Sequence, residues 1–195
     1  MFGVLPNYRT VDQNGPYQPL SAKEKLTIAT KDTIDYPLFF VGAGLAGLAQ
    51  LTDQHTSLGE GLKGYGLRYA TSYSDQAIGN MMTEGLLPVL FREDPRYFRQ
   101  GPSRGGVWWR IGYAGSRIFV TKTDTGANTF NFSEVLGNGI AAGVGNAYYT
   151  NERTLGDNFQ RLYVALATDA FSQVLKEFWP DIKQKYFSHH QKTQP

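Results

Sequence analysis

The chain contains no cysteine among its 195 residues. That excludes a disulfide scaffold, cysteine-ligated zinc, iron–sulfur clusters and thiol catalysis. Histidine is nearly as scarce: His55, His189 and His190 are the whole complement, and their spacing fits no metal-ligand pattern. No H-E-x-x-H, G-x-S-x-G or phosphate-loop sequence occurs. Charge is short as well, at 18% Asp, Glu, Lys and Arg, against about 25% in an average soluble domain. The net charge of +2 is too small to argue for a nucleic-acid partner. Met1 is followed by Phe2-Gly3-Val4-Leu5-Pro6, without a basic region ahead of an apolar one, so no signal peptide is expected in the sequence as it stands.

Glycine and aromatic residues fill the gap, with 22 Gly, 12 Phe, 12 Tyr and 3 Trp. This composition excludes a disordered polyelectrolyte, which would be charge-rich and aromatic-poor. Neither a collagen nor a coiled-coil period is present, and the length fits one domain, or one domain with an arm. Residues 1–20 carry Pro6, Pro16 and Pro19 with Phe2, Tyr8 and Tyr17, and read as an extended arm that packs on something, within the molecule or outside it, instead of floating. A helical domain is expected over 21–187, and a polar tail over 188–195.

Ser21-Ala22-Lys23-Glu24 fits a capping box opening a helix that runs to about Ile34. Tyr36-Pro37 restarts the chain as a second, apolar helix reaching about Thr52. Tyr65, Tyr69, Tyr73, Ala77, Met81 and Leu86 keep helical spacing across 62–91, and Glu93-Asp94-Pro95 ends that run. A shorter helix is expected over 108–121, followed by a turn at Thr123-Asp124-Thr125-Gly126. Ser133 is read as the cap of a glycine-rich helix from Glu134 to Tyr149. The last helix covers 154–177, where Pro180 interrupts it. Residues 117–121 and 129–132 have the composition of a hairpin. A small β-barrel is set aside because 62–91 and 154–177 do not alternate. The fold class is therefore all-α, a bundle of five or six helices with close packing through Gly and Ala.

Two stretches, 36–52 and 135–151, lack any charge. Each is near the lower limit of about 17 residues for a bilayer-spanning helix, and each also suits a buried bundle helix. Small residues recur at spacing four in these stretches and between them: Ala43 with Gly47, Gly66 with Ala70 and Ser74, Gly139 with Gly143, and Ala141 with Gly145. Such pairs let helix backbones approach, and are expected to be the packing surfaces. A competing reading takes Gly42, Gly44 and Gly47 as the G-x-G-x-x-G of a flavin- or nicotinamide-binding domain. It lacks the second strand ending in an acid about 20 residues on, so no cofactor is expected.

A third feature is basic and aromatic. Arg96, Arg99, Arg104, Arg110 and Arg117 share one segment with Trp108 and Trp109. Tryptophan and arginine together suit a membrane interface, with rings at headgroup level and guanidinium on phosphate. Asp94 with Arg96, and Glu177 with Asp181, are expected as structural ion pairs or caps. Asp169, on an otherwise apolar helix, needs a partner, for which an arginine of the belt is a candidate.

Several blocks carry a resemblance when taken together: Phe2-Gly3-Val4-Leu5-Pro6-Asn7-Tyr8, Glu93-Asp94-Pro95-Arg96-Tyr97-Phe98, Thr123-Asp124-Thr125-Gly126, Asn131-Phe132-Ser133-Glu134 and Glu177-Phe178-Trp179-Pro180-Asp181-Ile182. The whole chain resembles a family of environmental-bacterial exported or envelope proteins. The resemblance implies a helical envelope protein and carries no activity or catalytic residue. The resulting expectation is a non-enzymatic protein of the bacterial cell envelope or membrane surface. Its partners would be anionic lipid headgroups or a membrane-protein complex, with self-association and no nucleic acid. A redox enzyme using the glycine segment and a soluble scaffold subunit of a larger complex are the alternatives.

Overall fold

The computed structural model describes residues 9–12 and 17–187. Phe2, Pro6, Tyr8, Pro16 and the tail with His189 and His190 lie outside the described residues. The chain is an all-α bundle of six helical rods with little strand.

Helix α1 (Ala22–Ile34) opens on the expected capping box, with Ser21 Oγ accepting from Glu24 N and the Glu24 carboxylate accepting from Ser21 N at 2.8 Å. Asp35 breaks it in extended conformation and caps α2 (Tyr36–Leu51). Pro37 sits in the first turn of α2, where its missing N–H has no partner to lose. Helix α3 (Gly61–Asn80) passes through a π-helical turn, Met81–Leu86, into α4 (Leu87–Phe91). Met81, Leu86 and Leu87 stay in the right-handed helical region, so the three pieces form one rod. The wider turn buries Glu84.

Three expected boundaries move. The helix expected over 108–121 is α5 (Val107–Ser116). Beyond it, β4 (Val120–Thr123) and β5 (Asn128–Phe130) form a hairpin around the turn at Thr123–Gly126, and β2 (Glu93–Asp94) pairs with β4. The hairpin composition was thus local, not the edge of a barrel. Helix α6 (Phe132–Gly145) is capped by Asn131, whose Oδ1 accepts from Glu134 N at 3.1 Å, not by Ser133. Helix α7 (Leu155–Phe187) runs through Pro180 instead of stopping there. A proline removes one intrahelical donor. In the turn before it, the Glu177 carbonyl accepts from Arg99 Nε and Arg110 Nη2, each at 3.0 Å.

The described part of the arm packs on the body, as expected. Strand β1 (Thr10–Asp12) runs parallel to β3 (Tyr97–Arg99), and Tyr17 donates its hydroxyl to Asp94 and to the Thr123 carbonyl.

The core is unusual in kind. Six of its thirteen buried apolar residues are alanine: Ala29, Ala46, Ala49, Ala114, Ala141 and Ala142. The largest fully buried side chains include Arg68, Lys25, Glu84, Glu177 and Asp94. Leucine, phenylalanine and tryptophan lie largely outside, with Leu62 88%, Leu51 85% and Trp108 84% exposed.

Candidate functional site

Of the expected packing residues, Ala141 and Gly145 are buried, whereas most of the others face away from the crossings. A Cβ added at Gly47, Gly66, Gly139 or Gly143 would meet nothing within 4 Å, and Ala70 is exposed. The close approaches are made elsewhere. Gly42 lies against the Tyr73 backbone, Gly85 against Ala29, and Gly137 against Thr83. Gly79 faces Asn138 across the α3–α6 crossing. For those others, spacing four was the correct period in the wrong register. Ala43 is half-buried beside Gly42, with its carbonyl on the Tyr65 hydroxyl at 3.3 Å. A one-residue step turns a helical side chain by about 100°, enough to move a stripe from the crossing to the outer face.

The basic belt divides in the same manner. Arg96 grips Asp94 through Nε and Nη2, Arg99 pairs with Asp181, and Arg110 pairs with Glu177 and Asp181. These three guanidiniums face inward on carboxylates, so the expectation that they meet headgroups is corrected. Arg117 stacks over the Tyr113 ring at 4.6 Å. Arg104, Trp108 and Trp109 are exposed, so what remains outward of the belt is largely aromatic.

Two of the inward arginines, Arg99 and Arg110, converge on the Glu177–Asp181 block. Glu177 accepts from the Tyr97 hydroxyl at 2.8 Å, from Gln100 N and Gly101 N, and from Arg110 Nε. All of its partners lie on the segment 97–110, so this carboxylate ties α7 to β3 and α5. Glu93 does the same for α6, accepting from the N–H groups of Phe132 and Ser133. A carboxylate at a helix N-terminus also complements the helix dipole.

A second buried group lies between α6 and α7. Asp169 accepts from Asn138 Nδ2 at 2.9 Å, so its partner is an amide and not an arginine of the belt. Glu134 is pushed well above the usual carboxyl range, first by burial and then by the charge of Asp169. Lys176 is lowered to about 8 by burial and by Arg9. It lines a cavity of about 110 Å³ with Arg9, Asp32 and Asp169.

A half-open cavity of about 350 Å³ lies between α2, α3, α6 and α7. Leu45, Leu48, Ala141 and Val164 form its apolar wall. His55, Asp75, Tyr149, Glu152 and Arg161 form its polar end. His55 has φ 56°, ψ 47°, the left-handed region, which non-glycine residues seldom adopt. Glu152 holds it there at two points, accepting from His55 N at 2.8 Å and engaging the ring at Nδ1. The imidazole stacks on Tyr149, with centroids 4.1 Å apart. Asp75 accepts from the Tyr148 and Tyr149 hydroxyls, and burial raises its carboxyl despite them. Arg161 lies over the opposite end of this group, 5.2 Å from the Tyr149 ring. Sequence reading passed over all of these residues. His55 lacked metal spacing, and the others lie far apart in the chain.

Gly42, Gly44 and Gly47 lie inside α2, with Val41 in mid-helix. A dinucleotide site needs a strand ending before the first of these glycines, so that reading is corrected. Among the described residues, no group of three or more His, Asp or Glu is arranged to hold a metal ion. Comparison of the chain with family models, curated proteins and solved structures gives no match.

Proposed function

We propose that the chain is a non-enzymatic helical protein of the bacterial cell envelope that works against a membrane surface. The observation that supports this is the inverted polarity of the bundle. Three outer stripes keep helical spacing: Phe40, Leu48 and Leu51 on α2; Leu136, Ile140 and Val144 on α6; Leu155, Phe159 and Tyr163 on α7. The inside holds Arg68, Glu84, Glu177 and Lys25 instead. Large exposed apolar areas mark an interaction surface. Each such side chain removed from water contributes about 1.5–3 kcal/mol, whereas buried ion pairs contribute little net stability. In this reading the exterior is matched to acyl chains, and Trp108, Trp109 and Arg104 to the headgroup level.

No single described helix is long and apolar enough to cross a membrane; only the pair α1 and α2, bent by 52°, passes together. The proposed placement is therefore along the interface, where a helix face sinks into the headgroup–acyl boundary. Outward glycines at Gly44, Gly47, Gly139 and Gly143 leave room for a second copy to dock against the same stripes.

Vesicle flotation tests the proposal. The protein should float with anionic vesicles at low salt and stay bound in part at high salt, and tryptophan emission should shift to the blue. Trp108→Ser and Leu51→Ser should each reduce the bound fraction. A detergent-free, monodisperse protein that never floats would overturn it. A defined native mass of a hetero-complex without lipid would establish the scaffold-subunit reading instead.

A further inference from the structure

The cavity at His55 is not used by a membrane-surface role, and its chemistry is specific. Glu152 is an acceptor, so the ring nitrogen it engages, Nδ1, carries the hydrogen. In the neutral ring Nε2 is then the lone-pair acceptor, and no hydrogen bond to it is made among the described residues. The strained backbone of His55 and the two-point grip of Glu152 fix that tautomer and hold the ring at the cavity wall. Strain retained at such a place points to a role for the side chain.

We infer that this cavity binds a small protonated amine with a short hydrocarbon portion. The ammonium donates to His55 Nε2. Its charge is complemented by Asp53, Asp75, Glu152 and Asp157, all on the lining. The hydrocarbon lies against Leu45, Leu48, Ala141 and Val164. Arg161 is the one guanidinium of the lining. It is turned to the carbonyls of Ala142 and Glu152 and to the side-chain oxygens of Asn146 and Asn158. Those four bonds hold its N–H groups on the chain, so it does not form an anion site. The volume of about 350 Å³ falls within the range of small-molecule pockets. The inference stands apart from the membrane reading, since the cavity lining is distinct from Phe40, Leu51, Trp108 and the other residues proposed to meet lipid, apart from Leu48 at its rim.

Calorimetric titration with n-hexylamine, n-hexanol and hexanoate, at neutral pH and with no vesicles, separates charge from hydrophobicity. Hexylamine should saturate a single site and shift the His55 imidazole resonances. Hexanoate should bind at least about tenfold more weakly, the effect of a lost charge-assisted hydrogen bond. His55→Asn keeps a residue that tolerates the left-handed backbone and should weaken hexylamine about tenfold. Val164→Phe fills the cavity from a half-open wall position and should abolish binding. Equal binding of hexanoate, no saturable binding of hexylamine by the wild-type protein, or undiminished binding by folded Val164→Phe would each overturn the inference.

Discussion

Arg110 Nε of α5 and Glu177 Oε1 of α7 meet at 2.7 Å, with side chains 4% and 0% exposed. The pair is one edge of a larger network in which Asp181, Arg99, Tyr97 and two backbone N–H groups also take part. The guanidinium of Arg110 further lies 4.3 Å from the Phe178 ring. A buried pair of this kind stabilises little against an apolar replacement but penalises the loss of either partner.

Removing one partner should therefore be far worse than removing both. Glu177→Met should destabilise by roughly 3–5 kcal/mol, because Arg110 keeps only Asp181 as a charged partner and Tyr97 and two backbone N–H groups lose their acceptor. The double variant Arg110→Met, Glu177→Met should cost well under the sum of the two singles. Urea unfolding of the four proteins of this cycle measures both quantities.

Two glycines of α6, two residues apart, should respond with opposite sign. A Cβ at Gly137 would lie 2.7 Å from Thr83 Cγ2 and 3.1 Å from Thr83 N, so Gly137→Ala should destabilise by about 1–3 kcal/mol. Gly139 faces open space, and Gly139→Ala should stabilise by about 0.5–1 kcal/mol through backbone entropy. Thermal melts distinguish them directly.

The cap of α6 offers a similar contrast. Asn131→Ala should cost about 1 kcal/mol, since it releases the Glu134 N–H. Ser133→Ala should be neutral or mildly stabilising, because the Ser133 hydroxyl is buried with no partner. If Ser133 were the cap, the order would reverse in the same unfolding measurement.

Glu134 makes stability depend on pH with a definite sign. Its folded value is raised above the ordinary 4.5, so the folded state holds the proton more tightly than the unfolded chain does. The stabilisation from that group is complete below 4.5 and is lost as pH rises through the elevated folded value. The wild-type protein should lose stability relative to Glu134→Gln as the solution becomes more alkaline. Melting both proteins across a pH series reads the difference and cancels contributions from other groups.

Lys176 should be the most reactive described lysine near pH 8. Burial and Arg9 lower its ammonium from 10.5 to about 8, so a large share is neutral amine there. Acylation followed by peptide mass analysis should mark Lys176 at lower pH than exposed Lys23 or Lys183. Asp169→Asn removes a charge that raises the value, and should move the labelling midpoint further down. The same depression means that the stabilisation tied to Lys176 is present above 10.5 and is lost as pH falls through about 8.

Local signals were readable without a fold. The Ser21–Glu24 box, the break at Asp35–Pro37, the long period of 61–91 and the turn at Thr123–Gly126 depend on contacts within a few residues, and all appear where the sequence places them. The all-α class followed from the same periodicities. The misplaced cap at Ser133 and the helix continuing past Pro180 show the limit of that logic. At both places a distant partner takes part: Glu93 occupies the N–H groups at the start of α6, and Arg99 with Arg110 bonds the Glu177 carbonyl in the turn before the proline.

By itself, then, the sequence determined the helices and the approximate place of most of their ends, because those properties reside in neighbouring residues. Tertiary structure alone decided which side of each helix faces inward. Gly42 and Gly137 were chosen over Gly47 and Gly139, Arg110 was buried while Trp108 was left outside, and His55 was joined to Glu152 across 97 positions. The period of a helix fixes which residues share a face, but the rotation of that face is set only by what packs against it.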